Sequence, residues 1–96
     1  MTTWFVSRHP GAIEWIKGEA ITIDRWVEHL DVDLIMPGDL VIGTLPLMAA
    51  ASVTAKGARF LALVLPQAHF DRGKEHSGSE MAARGAYLQE FVVHAL

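Results

Sequence analysis

Two short strings in this chain hold residues suited to handling a phosphate ester. Ser7-Arg8-His9-Pro10-Gly11 follows the apolar run ending at Val6, and Gly43-Thr44-Leu45-Pro46 follows Leu40-Val41-Ile42. Each sets a hydroxyl residue after a hydrophobic segment and a proline where a helix would begin, a position that tolerates proline's missing N–H. Arg8 can grip a phosphate through two parallel hydrogen bonds and never loses its charge. His9 can move a proton near neutral pH, the task of a general acid or base. Gly11 and Gly43 let the backbone come close to a ligand. A plainer reading stands beside this one. Ser7 and Thr44 serve equally well as helix N-caps, Arg8 as a solvated charge and His9 as a loop residue. His29, near the end of a further apolar segment, either approaches the same cleft or is a satisfied, half-buried side chain.

The elements that would carry these strings follow from the spacing of apolar residues. Thr2 to Val6 reads as a buried strand, and Ala12, Ile13, Trp15 and Ile16 share one face of a helix that Gly18 stops. Ile23 to Leu30 reads as a second strand, and Asp31 to Asp39 as a connector with a Pro37-Gly38 turn. Leu40-Val41-Ile42 is apolar on both faces, as the centre of a parallel sheet requires. The helix Leu47 to Lys56, closed by Gly57, is apolar almost all round, which predicts burial on more than one side, the second against another subunit. Ala58 to Leu65 is another apolar strand; Ser79 to Arg84 makes a short helix and Tyr87 to His94 a last strand. The order predicts one α/β domain spanning 1–96, a mostly parallel sheet with helices on both faces. In such sheets ligands bind outside the carboxyl ends of the strands, where helix N-termini favour anions.

Pro66 to Gly78 is polar, and Arg72-Gly73-Lys74 gives it the local positive charge of a lid over a polyanion, or of a solvated tether. His69, Asp71 and His76 match no zinc spacing, and there is no P-loop, dinucleotide fingerprint or nucleophile elbow, so neither metal nor cofactor is expected. Trp4, Trp15 and Trp26 recur every eleven residues but fall on a strand, a helix and a strand, which predicts core or interface packing.

Composition narrows the partners. The 96 residues are 51 % hydrophobic and 20 % charged, with a mean hydropathy of +0.26, an apolar excess that a subunit interface would absorb. A formal net charge of −3 argues against a protein that coats DNA by bulk electrostatics. With no cysteine, disulfides and thiolate metal sites are excluded. No apolar run is long enough to span a bilayer and no signal peptide is evident, so no membrane partner is expected and the cytoplasm is the expected compartment.

The strings Thr3-Trp4-Phe5-Val6-Ser7-Arg8-His9-Pro10-Gly11-Ala12, His29-Leu30-Asp31 and Pro37-Gly38-Asp39-Leu40-Val41-Ile42-Gly43-Thr44-Leu45-Pro46 resemble a family of small CRISPR-associated accessory proteins encoded beside type III systems. The resemblance covers nearly the whole chain and is weakest after Pro66, apart from Arg72-Gly73-Lys74-Glu75. It implies a ring nuclease that binds and cuts a cyclic oligoadenylate messenger, most often cyclic tetra-adenylate. It also implies a Rossmann-like sheet akin to the CARF domains that sense the same ligands, working as a homodimer with the site at the interface. Ser7, Arg8 and His9 match the first motif, and Gly43, Thr44, Leu45 and Pro46 the second, without individual catalytic roles being fixed. A binding module that sequesters the ring uncut is the alternative from the same residues, and an interaction protein docking through the Leu47–Ala55 helix is another.

Overall fold

The alternation of side chains in Trp4-Phe5-Val6 sets the layers. Trp4 and Val6 point to one side of the sheet and Phe5 to the other, and all three are buried. A computed structural model describes residues 1–66 and 77–96. In chain order the elements are β1 (Thr3–Val6), α1 (Pro10–Lys17), β2 (Arg25–Val27), a 3₁₀ turn (Val32–Leu34), β3 (Leu40–Gly43), α2 (Leu47–Ala55), β4 (Arg59–Val64), α3 (Gly78–Ala83) and β5 (Tyr87–Phe91). They build one five-stranded sheet in the order β2-β1-β3-β4-β5. β1 to β4 run parallel and β5 returns antiparallel beside β4. This is the doubly wound, Rossmann-like arrangement with helices on both faces that the sequence predicts.

Each face has its own core. On one, Trp4, Val6, Val41 and Phe60 of the sheet meet Ala50 and Val53 of α2, with Ile35 closing the end. On the other, Phe5 and Ile42 meet Ala12, Trp15 and Ile16 of α1 and Met81 of α3. β3 is the central strand, and Val41 and Ile42 contribute to opposite cores, which explains why its sequence is apolar without alternation.

The amino edge of the sheet is tied together by one carboxylate. Asp39, only 3 % exposed, accepts from Thr2 N (2.9 Å), Met36 N (3.0 Å) and Trp4 Nε1 (3.2 Å). Burial alone would raise this carboxyl above its ordinary value. The bonds from Met36, Thr2 and Trp4, with the N-terminal ammonium, outweigh burial and hold it below 3.8. A carboxylate with a lowered folded-state pKa contributes stability above its unfolded value and loses that contribution as pH falls through the folded value. Asp39→Asn is therefore expected to cost about 2 kcal/mol at neutral pH, because an amide offers one acceptor oxygen to three donors. That corresponds to a fall of about 10 °C in melting temperature. Melting curves from pH 7 to pH 2.5 should show the gap to wild type closing below about pH 4, where protonation of Asp39 removes the wild-type advantage.

Three expectations from sequence are corrected. The second strand covers only Arg25–Val27 rather than Ile23 to Leu30, because its single neighbour β1 ends at Val6 and the last rung is Ser7 N to Val27 O at 3.0 Å. The last strand stops at Phe91, opposite Phe60, and the chain beyond turns onto α2, where Thr54 Oγ1 donates to Val93 O at 2.7 Å. Of the core and interface readings of Trp26, the core one is set aside: it lies on the edge strand, 45 % exposed, with its ring against Phe5 (centroids 5.6 Å apart) and Lys17 Nζ 5.5 Å from its centre. α2 buries Ala50 and Val53, whereas Leu47 and Met48 stand 74 % and 83 % exposed, so its second apolar side has no cover among the described residues. No helix among the described residues is long and apolar enough to cross a membrane.

Candidate functional site

The direction of winding reverses between β1 and β3. The chain leaves β1 toward β2 on one side and returns through β3 to β4 on the other, so the switch point of the sheet lies between these two neighbours. Both candidate strings leave from this point. Val6 and Gly43 are register partners, so Ser7-Arg8-His9-Pro10 and Thr44-Leu45-Pro46 start side by side at the carboxyl edge. β2 is parallel to β1, and Val27 pairs with Val6, which brings Glu28 and His29 to the same edge.

Gly43 makes this juncture possible. Its φ is +139°, and a Cβ there would collide with the carbonyl oxygen of Val6 and lie 3.1 Å from its carbonyl carbon. The two strand ends are pressed together at a position only glycine can fill. Thr44 beyond it is exposed, Leu45 packs partly against the α2-side core, and Pro46 is the N-cap of α2.

At the first junction the Ser7 hydroxyl accepts from His9 N at 3.1 Å, turning the chain into α1. His9, not Ser7, is the N-cap of α1, and Pro46, not Thr44, caps α2; neither cap contributes a side-chain hydrogen bond. The plain N-cap reading of Ser7 and Thr44 is thereby replaced. Both helices present uncapped amino ends, with their partial positive charge, along the carboxyl edge. Arg8, His9 and His29 are exposed, and Gly11 is buried in the first turn of α1.

A hollow of about 430 Å³ opens beside the first junction, lined by Arg8, Pro10, Ile13, Glu14, Lys17 and Glu28. It draws on the first string and not the second, and it mixes two cations with two carboxylates. Its lining from α1 follows the helical spacing 10, 13, 14, 17, so one stripe of α1 forms a wall and the end of β2 the other. Sequence reasoning missed Ile13, Glu14, Lys17 and Glu28; their spacing on the helix was visible, but the approach of Glu28 depends on strand pairing. Arg72, Gly73 and Lys74 lie outside the described residues. Among the described residues, no group of three or more His, Asp or Glu side chains is arranged to hold a metal ion.

Residues 4–94 match the family model described as "Putative CRISPR-associated protein (Cas_VVA1548)". No curated protein and no solved structure matches the chain.

Proposed function

Since the chain belongs to this CRISPR-associated family, we propose that it is a ring nuclease of type III CRISPR signalling. It binds a cyclic oligoadenylate, with cyclic tetra-adenylate the first choice, and cuts it to linear products. One observation carries this reading. Both phosphate-competent strings leave adjacent parallel strands at the switch point, held together by the contact of Gly43 with Val6. A macrocycle of four phosphates needs a wide shared edge rather than a closed pocket, and the positive amino ends of α1 and α2 lie along it.

The cleavage needs no metal. A ribose 2′-oxygen attacks the adjacent phosphorus in line, the bond from phosphorus to the 5′-oxygen breaks, and a 2′,3′-cyclic phosphate and a free 5′-hydroxyl result. Ser7 orients the 2′-hydroxyl, and His9 takes its proton or delivers one to the departing 5′-oxygen. Arg8 and the Thr44 junction stabilise the charge that builds on the phosphorane oxygens. His29, Leu45 and Pro46 shape the surface on which the ring lies, and the buried Gly11 and Gly43 set the backbone beneath it. Incubating the protein with radiolabelled cyclic tetra-adenylate and EDTA tests this: linear adenylates are expected, and an intact bound ring would make the protein a sequestering module instead.

The ring has two-fold symmetry, and so does the assembly we propose. A homodimer with the site at its interface sets two copies of each string around one ligand. The exposed Leu47 and Met48, next to the Gly43–Pro46 string, are the surface such a partner would cover. Sedimentation should give twice the chain mass for the wild type. Met48→Lys, a change at an exposed side chain, should shift the protein to monomer and lower cleavage in parallel.

A further inference from the structure

The hollow beside the first junction is the wrong shape of charge for a phosphate alone. Arg8 and Lys17 share it with Glu14 and Glu28. Glu14 is committed elsewhere: its Oε1 accepts from Gly78 N at 3.1 Å, and it packs so closely on Gly78 that a Cβ there would meet its Cγ at 2.7 Å. Glu28 has no such commitment. Among the described residues neither Glu28 nor Arg8 forms an ion pair or hydrogen bond through its side chain, although opposite charges line the same space. Lys17 is steered by Trp26, whose ring its ammonium overlies at 5.5 Å. Pro10 and Ile13 supply apolar lining to the same hollow.

From this arrangement we infer that the groove between α1 and the end of β2 is a base-reading subsite that takes one adenine of the bound ring. The inference rests on the ring-nuclease reading and adds the residues that choose the base. Adenine presents on one edge a donor, the 6-amino group, beside an acceptor, N1. Glu28 supplies the acceptor and Lys17 the donor that this edge requires, while Pro10 and Ile13 support the face of the purine. Arg8, exposed in the same lining, holds the attached phosphate next to the reacting centre. A 6-oxo purine carries the reversed pattern, an acceptor at position 6 and an N–H at position 1. It would set its oxygen against the Glu28 carboxylate and its N–H against the Lys17 ammonium. Glu28 is thus a specificity residue, distinct from the groups that move protons.

The test compares two rings that carry 2′-fluoro riboses and so lack the attacking hydroxyl: cyclic tetra-adenylate and its 6-oxo counterpart, cyclic tetra-inosinate. Binding of each is measured by calorimetry to the wild type and to Glu28→Gln. Glu28 is exposed, so its replacement leaves the fold in place. The wild type is expected to prefer the amino ring by about tenfold or more. In Glu28→Gln, whose amide can donate to a 6-oxo group, that preference should fall to near unity or reverse. An amino-to-oxo ratio that is near one in the wild type, or unchanged in Glu28→Gln, overturns the subsite while leaving the ring-nuclease reading standing. Binding of neither ring by the wild type overturns both.

Discussion

Replacing His9 by alanine is expected to slow formation of linear product from cyclic tetra-adenylate by a factor of about 10²–10⁴, the usual worth of a positioned proton carrier. Ring affinity should change by less than about threefold. The fold gives His9→Ala little reason to fail structurally. The side chain is exposed and follows a turn held by the Ser7 hydroxyl accepting from His9 N, a bond the alanine backbone keeps. Phosphate contacts in this reading fall to Arg8 and to the amino ends of α1 and α2, none of which the substitution touches. Initial rates in EDTA, paired with calorimetric binding of the 2′-fluoro ring, separate the outcomes. An undiminished rate removes His9 from the mechanism. A parallel loss of rate and affinity makes it a ligand contact instead of a proton carrier.

The second large effect is on the scaffold. Gly43→Ala is expected to cost about 3 kcal/mol or more, lowering the melting temperature by well over 10 °C or preventing folding. Two penalties coincide there. A side chain at φ +139° is strained wherever it sits, and this one would drive into the Val6 backbone, which cannot withdraw because it is a rung of the β1–β3 ladder. Gly38→Ala is the matched control. Its φ is +86°, but no atom lies within 4 Å of the added Cβ, so only the conformational penalty of about 1 kcal/mol applies. Thermal melts of the two variants side by side test the argument. Equal losses would mean that backbone strain alone, not the close approach of the two strand ends, makes glycine necessary at position 43.

Much of this architecture was legible in the residues. The unbroken apolar character of Leu40-Val41-Ile42 marks a strand with cores on both sides, and the prolines at positions 10 and 46 mark where helices start. Strand lengths were less legible, because a strand persists only as far as its neighbour does: Ile23 to Leu30 carries an apolar pattern, yet pairing ends with β1. Antiparallel pairing of Tyr87–Phe91 likewise follows from where the chain re-enters the sheet. At the candidate site, the Ser7-Arg8-His9 and Gly43–Pro46 strings stood out by chemistry, and the topology sets them side by side. The cap assignments did not follow from residue type. Ser7 and Thr44 have the right side chains for caps, but each stands two residues too early in its turn. Glu28 and Lys17 were invisible as a pair because eleven residues of sequence and one strand register separate them.

The knot of hydrogen bonds around Asp39 lies at the opposite end of the strands from the two phosphate-competent turns. Integrity is thus guarded at one pole, and the proposed chemistry is set at the other. Apart from Gly43, which serves both, the rim proposed to meet the ligand is free to diversify at little thermodynamic risk. Libraries randomised at Arg8, His9, Glu28, His29 and Thr44 should therefore yield mostly folded proteins with altered appetites, whereas the same diversity around Asp39 would yield mostly unfolded ones.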